Sequence, residues 1–197
     1  MNKAFFFDKD GVLNEGVYRE DYYKKGKFLN GAPIDIKDLK IKPDAKKTIT
    51  LVKQKGFIPV IVTNQPDFLG KDVPLKKYEE MITKICETID IPKRNIFTCL
   101  HKNEIGLPCN CKKPKPDLFL MAKGVFDIDM KSSWVIGDSW KDLKAGLDAG
   151  VKNTIFLLIK KEEGKQVGNE GDLKKMEEQS IKPAHIITKL AELKKIL

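Results

Sequence analysis

Short apolar runs that break abruptly into polar residues are the most regular feature of this chain. Ala4-Phe5-Phe6-Phe7 stops at Asp8, and the run from Phe57 through Val60, Ile61 and Val62 stops at Thr63. Residues 133–137 lead into Asp138, and further runs cover 95–98 and 153–159. Continuous apolar runs of this length predict strands buried on both faces, as in a parallel sheet, with the first over 3–8. Between them the apolar residues recur at three and four. The spacing predicts a helix over Pro43–Lys55, with Pro43 at its first position and Asp44 in its first turn. A second helix is predicted from Pro74 to about Asp90, carrying the stripe Tyr78, Met81, Ile82, Ile85 and Ile89. Helices over 116–125 and 140–149 complete the alternation. Lys160–Gln179 is polar, with Gly164, Gly168 and Gly171, and predicts a loop with a short helix. His185–Ile187 reads as a last strand, and Thr188 as the cap of a terminal helix carrying Leu190, Leu193 and Leu197. Strand–helix repetition of this kind predicts an α/β fold, a parallel sheet with helices on both faces.

One stretch does not fit the alternation. Residues 15–42 hold Gly16, Tyr18, Tyr22, Tyr23, Gly26, Gly31 and Pro33, which predicts an irregular flap rather than a folded cap domain. No repeat, linker or low-complexity tract divides the 197 residues, a length suited to one domain (1–197) with a substantial core. The net charge of +9 raises the question of nucleic acid. Its cations are almost all lysine, with arginine only at Arg19 and Arg94, and they are interspersed with acids along the whole chain. Bidentate phosphate and base recognition favours arginine in a concentrated stripe, so no nucleic-acid partner is expected. No run approaches the length of a membrane span, and Ala4–Phe7 is too short for a signal-peptide core. A cytoplasmic monomer with no membrane partner is the expectation.

The strand ends carry the candidate chemistry. Asp8-Lys9-Asp10-Gly11 places two carboxylates one residue apart where an open parallel sheet binds its ligands. One such carboxylate can attack phosphorus and bind a divalent cation while its neighbour carries a proton. An isolated Asp-x-Asp-Gly is equally an ordinary surface turn. Cys99-Leu100-His101 and Cys109-Asn110-Cys111 supply three thiols and an imidazole, a sufficient tetrahedral set for Zn²⁺. The alternatives are a disulfide or unrelated buried thiols, and a Cys-x-Cys pair is too close to bridge easily. Cys86 falls within the second helical stripe and reads as a small core residue.

Taken in order, Asp8-Lys9-Asp10-Gly11, Thr63 at a strand end, Lys112-Lys113 before Pro-Lys-Pro, and Gly137-Asp138 followed by Asp142 resemble the haloacid-dehalogenase superfamily of phosphohydrolases. The string Cys-x-His…Cys-x-Cys-Lys-Lys-Pro-Lys-Pro resembles its zinc-bearing branch. Thr63-Asn64-Gln65-Pro66-Asp67 and Gly137–Asp142 are more similar to the heptose-bisphosphatase-like subgroup than to the histidinol-phosphate one. The resemblance implies a three-layer Rossmann-like fold without a large cap domain. It also implies a Mg²⁺-dependent phosphatase acting on a sugar bisphosphate through an aspartyl-phosphate; the alternatives are a histidinol-phosphate or other small-molecule phosphatase and, more remotely, a DNA 3′-phosphatase or a non-catalytic zinc-stabilised binding module. Asp8 would be the nucleophile and Asp10 the acid and base. Asp8, the backbone carbonyl of Asp10 and Asp138 would hold Mg²⁺. Gly11, Asn14, Thr63, Asn64, Lys112 and Lys113 would contact phosphate or substrate. Asp142 would orient Lys113 or a metal-bound water; its alternative is an ordinary acid in a first helical turn. A structural zinc on Cys99, His101, Cys109 and Cys111 would fold the 99–111 loop so that Lys112 and Lys113 project into the site, with Lys115 beside them. Two departures stand out: Lys112 where relatives often carry Arg, and Ser139 where they carry a basic residue.

Overall fold

Ala4 and Phe6 face one side of the first strand and Phe5 and Phe7 the other, and all four side chains are fully buried. A strand apolar on both faces needs cover on both, which places it at the centre of a sheet. The computed structural model of the protein describes residues 1–18, 30–69, 73–101, 109–160 and 168–197. Its strands are β1 (Lys3–Phe7), β2 (Val17–Tyr18), β3 (Asn30–Gly31), β4 (Phe57–Asn64), β5 (Ile96–Cys99), β6 (Trp134–Gly137), β7 (Asn153–Leu157) and β8 (His185–Ile187). Its α-helices are α1 (Ala45–Gln54), α2 (Leu75–Ile89), α3 (Asp117–Phe126), α4 (Trp140–Asp148) and α5 (Glu170–Glu178). Six strands form one sheet in the order β5-β4-β1-β6-β7-β8, and every pairing is parallel. The chain winds outward from β1 to β4 and β5, then returns to start the other half at β6. Order therefore reverses between β1 and β6, whose register pairs Phe5 with Trp134 and Phe7 with Ile136. Such a switch point opens a crevice at the carboxyl ends of the strands.

Both faces of the sheet are covered. On one, Phe5, Phe7, Ile61 and Ile136 pack with Ile49 and Val52 of α1, Ile82 and Ile85 of α2, and the C-terminal Leu190 and Leu193. On the other, Ala4, Phe6, Val62 and Val135 pack with Leu118, Phe119 and Ala122 of α3 and Ala145 of α4. Met176 of α5 joins Leu143 and Phe156 in a smaller cluster. This is the three-layer α/β arrangement expected, and Cys86 lies in its core. No helix among the described residues is long and apolar enough to cross a membrane.

Several element ends differ from the expected ones. Helix α1 starts at Ala45, so Pro43 and Asp44 form the preceding turn, and Asp44 makes no side-chain cap bond. Pro74 and Pro116 likewise flank their helices rather than begin them. The terminal helix is a 3₁₀ turn over Leu190–Lys195, and Thr188 does not cap it. Instead the Glu192 carboxylate reaches back to accept from the backbone N–H groups of Thr188 and Lys189, both at 2.9 Å. The turn starts one residue later than a Thr188 cap requires, with Lys189 at the capping position, and the Thr188 hydroxyl donates to Glu192 at 3.1 Å. The flap expected over 15–42 is described at its two ends, where β2 and β3 pair as an antiparallel ribbon and Ile36–Asp38 forms a 3₁₀ turn. Residues 19–29 of that flap, 102–108 of the expected zinc loop and 161–167 of the polar tail lie outside the described residues.

Candidate active site and metal sites

Asp8 follows β1 directly, its N–H donating to the Ile136 carbonyl of β6 at 3.0 Å, so the strand register carries it to the switch point. The turn behind it requires glycine. Gly11 has φ +84°, and a Cβ there would fall 1.8 Å from Asp138 Oδ2. The Asp138 carboxylate thus lies against the turn that carries Asp8 and Asp10. Gly137 shows the same close approach, since a Cβ would lie 2.2 Å from Asp142 Cβ. Asp8, Asp138 and Asp142 bring carboxylate oxygens within 4.8 Å of one another.

Lys113 enters this cluster from the far side. Its ammonium is 2.6 Å from Asp8 Oδ1, 2.6 Å from Asp142 Oδ1 and 2.7 Å from the Val62 carbonyl, with the residue 4% exposed. Asn64 fixes the backbone there: its Oδ1 accepts from the Lys113 N–H at 3.0 Å and its Nδ2 donates to the Lys113 carbonyl at 3.2 Å. Asp142 makes contacts in two directions. One carboxylate oxygen meets Lys113, and the other accepts the Ser139 N–H at 3.0 Å as the capping box of α4.

Three carboxylates sharing one buried ammonium set the electrostatics. Burial pushes Asp8 up to about 7, with Lys113 opposing and Asp142 and Asp10 adding to the rise. Burial, then Asp8 and Asp142, holds Asp138 well above the ordinary carboxylate range. Lys113 stays above its usual value despite burial, because Asp142 and Asp8 favour its charged form. The cluster is short of positive charge, and its donors are all hard oxygens. That set suits Mg²⁺, which binds through few carboxylates and keeps room for waters and a phosphate oxygen.

The Asp10 carboxylate has partners of its own. Lys9 Nζ meets its Oδ1, Asn14 Nδ2 donates to the same oxygen at 2.9 Å, and Gln65 Nε2 donates to Oδ2 at 2.5 Å. Gln65 also donates to Thr63 Oγ1 at 2.9 Å. Of the expected substrate contacts, Asn14 and Thr63 are thus buried among protein partners, and Lys112 is half-buried. Lys115, expected beside Lys112 and Lys113, is held by the zinc loop. It is exposed and donates to the Cys109 carbonyl at 2.8 Å and Asn110 Oδ1 at 3.0 Å, because that loop offers two acceptors within reach.

The sulfur and nitrogen atoms of the second cluster are spaced for a metal. Cys99 Sγ lies 3.6 Å from His101 Nδ1, 3.6 Å from Cys109 Sγ and 3.2 Å from Cys111 Sγ, and His101 Nδ1 lies 3.1 Å from Cys111 Sγ. A tetrahedron with Zn–S of about 2.3 Å has edges near ~3.8 Å, whereas a disulfide needs about 2.05 Å. The four residues therefore fit a closed zinc site, and the three thiols are free.

Sequence reasoning missed four contributors. Lys42 donates to the Gly11 carbonyl, and burial lowers its pKa against the pull of Asp138 and Glu15. Lys9 is almost fully buried against Asp10. Asn169 donates to the Asp138 carbonyl at 2.6 Å, and Asp172 accepts from Ser139 Oγ and the Trp140 N–H at 3.2 Å each. Ser139 is thus committed to a second acid. Only Lys9, inside the Asp-x-Asp motif, stood where a sequence signal existed.

Comparison with known proteins agrees with this geometry. The haloacid dehalogenase-like hydrolase profile matches residues 19–150, and a related HAD-like hydrolase profile matches 110–193. The D-glycero-beta-D-manno-heptose-1,7-bisphosphate 7-phosphatase of Haemophilus influenzae is 32% identical over 87% of this chain and 88% of its own. Its counterpart in Helicobacter pylori is 30% identical over 80% and 84%. The crystal structure of D,D-heptose 1,7-bisphosphate phosphatase from B. bronchiseptica, complexed with magnesium and phosphate, superposes with a TM-score of 0.68. It covers 98% of this chain and 97% of that one at 21% identity. A parallel sheet with its carboxylates at the switch point, matched by profile and by relatives over most of its length, makes this chain a member of the haloacid dehalogenase-like hydrolase family.

Proposed function

We propose that the chain folds as one hydrolase domain and removes a phosphoryl group from a sugar bisphosphate, with D-glycero-D-manno-heptose 1,7-bisphosphate, dephosphorylated at C7, as its substrate. The observation that carries the reading is the Asp8–Lys113–Asp142 arrangement beside Asp138, with Asp10 adjacent. A binding protein has no need of a nucleophile together with its acid. The relatives named above supply the substrate.

The residues divide the work as follows. An oxygen of Asp8 attacks phosphorus, and the bond from phosphorus to the sugar oxygen breaks. Asp10 gives its proton to that departing oxygen, forming the alcohol. Asp10 then takes a proton from water as the water attacks the aspartyl-phosphate, releasing phosphate and restoring both carboxyl groups. Lys113 offsets charge on the transferring group, and Asp142 holds the ammonium in place. Gly11, Thr63 and Asn64 shape the phosphoryl pocket. Asp8, the Asp10 carbonyl and Asp138 would hold Mg²⁺, which supplies charge neutralisation at the phosphoryl oxygens. Zinc on Cys99, His101, Cys109 and Cys111 would order the loop that delivers Lys113, two residues beyond the last ligand.

A substrate panel tests the reading. Turnover dependent on added Mg²⁺ should be highest on heptose 1,7-bisphosphate, above histidinol phosphate, simple sugar phosphates and a 3′-phosphorylated oligonucleotide. Preference for any of the others reassigns the substrate, and no turnover at all removes the enzyme.

The zinc assignment makes a separate prediction. Elemental analysis should find one zinc per chain, and Cys109→Ser should lower both zinc content and Tm, because metal affinity is folding free energy at a closed site. Activity should still require Mg²⁺. Full activity with zinc alone would reverse the division of labour.

Lys112 bears on the second phosphate. Lys112→Ala should raise KM for the bisphosphate several-fold more than for p-nitrophenyl phosphate, which has no second phosphate to lose. Equal losses on the two would move Lys112 into the general catalytic machinery.

A further inference from the structure

We infer that Gln65 is a positioning residue that holds the Asp10 carboxylate for proton transfer to the leaving group, with the Thr63 hydroxyl as its second anchor. The inference rests on the roles proposed above for those two residues.

Gln65 is the first residue beyond β4. Its backbone N–H donates to the carbonyl of Cys99, the last residue of β5, at 2.7 Å, so its position is fixed by two neighbouring strand ends. Its side chain is wholly buried and turns inward. There Nε2 makes both of its bonds to the proposed machinery, to Asp10 Oδ2 at 2.5 Å and to Thr63 Oγ1 at 2.9 Å. One amide group thus ties the proton-carrying carboxylate to the hydroxyl proposed to face the phosphoryl group. Asn14 holds the other oxygen of Asp10 in the same manner.

The remaining atoms of these amides argue against a role in stability. Gln65 Oε1 and Asn14 Oδ1 are buried without a hydrogen-bond partner among the described residues. A buried acceptor left unpaired carries its full desolvation penalty, and native structures avoid it in the great majority of positions. Methionine would fill the same space with no such penalty. A fold retains a costly polar group of this kind where function requires it. Here both such amides donate to the same carboxylate, Asp10.

The consequence is specific to the leaving group. An alkyl phosphate releases an alcohol only if its oxygen is protonated as the bond breaks, whereas p-nitrophenolate departs without help. A misplaced Asp10 therefore harms the first far more than the second. The ratio kcat/KM isolates this step, because it reports events only up to departure of the alcohol.

The test compares Gln65→Met with the parent enzyme on heptose 1,7-bisphosphate and on p-nitrophenyl phosphate, both with saturating Mg²⁺. Gln65→Met should lose roughly 10–100-fold in kcat/KM on the alkyl phosphate, a fraction of the ~10²–10⁴-fold that a general acid contributes. It should lose no more than a few-fold on the aryl phosphate, and its Tm should change little, because the unpaired Oε1 and the two bonds of Nε2 are lost together. Gln65→Leu removes the N–H donors without adding a charge and should rank the substrates in the same way if the methionine variant folds poorly. Equal losses on both substrates together with a lowered Tm would make Gln65 a structural residue and overturn the inference. Asp10→Asn separates the two layers of the argument. If it shows the leaving-group dependence and the Gln65 variants do not, the inference alone is wrong. If Asp10→Asn lacks that dependence, the proton-transfer role of Asp10 is wrong and the inference falls with it.

Discussion

Asp8→Asn is expected to reduce turnover by at least about 10⁴-fold while leaving the fold intact, the scale seen when a covalent nucleophile is removed. The carboxamide is nearly isosteric, and its oxygen can still accept from Lys113 where Asp8 Oδ1 does now, at 2.6 Å. It cannot attack phosphorus. The variant should also be no less stable than the parent, because burial already disfavours the charged form of Asp8, pushing it up to about 7. Acid-quenched parent enzyme should carry a phosphoryl group on the peptide containing Asp8, and the variant should carry none. Residual activity above a small fraction of the parent's would show that Asp8 is not the covalent nucleophile.

Lys113→Met should have the next largest effect, and on two properties at once. Loss of one preorganised cation at the transferring group lowers kcat by about 10²–10³-fold or more. The change also strands Asp8 and Asp142, each 2.6 Å from the lost ammonium. Removing one member of a buried ion pair costs ~3–5 kcal/mol, or roughly 6–20 °C in Tm for a chain of this size. The deficit should depend on pH in a definite sense. Asp8 already sits above its unfolded value, at about 7, because burial outweighs the pull of Lys113. Without the ammonium it rises further. A carboxyl group whose pKa is raised on folding stabilises the native state at low pH and loses that contribution as pH climbs to the folded pKa. The parent has finished losing it near pH 7, while the variant continues to lose it above. The Tm gap should therefore widen between about pH 7 and pH 9 in the absence of Mg²⁺. A gap independent of pH would mean that Lys113 contributes through packing alone.

The parts of this architecture legible in the sequence are those written in contiguous residues. The Phe5-Phe6-Phe7 run can only be a doubly covered strand, and the carboxylates that end it must then stand at the sheet's edge. Lys113 and Asp142 were found through motif order, and the thiol and imidazole set through spacing. Element ends were less legible, because small differences decide between adjacent caps: Lys189 rather than Thr188 precedes the terminal turn. Lys42 and Asn169 were not legible as contributors to the site at all, and Gln65 was legible only as part of the Thr63–Asp67 motif, not as a partner of Asp10. The bonds of Lys42, Gln65 and Asn169 to Gly11, Asp10 and Asp138 span 31, 55 and 31 positions, and the folded topology alone supplies such contacts. Asn169 and Asp172 lie in a tail whose composition predicts only a polar loop and helix.

The reversal of strand order beside β1 also bears on how the molecule comes into being. The strand that carries Asp8 is the first to be made, yet its sheet neighbours begin at residues 57 and 134. Its counter-ion Lys113 follows 105 positions later. A ribosome that has released only the first hundred residues has made Asp8 and Asp10, with Lys9 to pair with Asp10, but not Lys113, the counter-ion of Asp8. Contacts so distant in sequence give the fold a high contact order, so assembly should be slow and should end, rather than begin, with closure of the catalytic crevice. An N-terminal fragment ending before β6 should accordingly lack both enzyme activity and a stable centre, and the chain should depend on chaperones during synthesis more than its modest length would suggest.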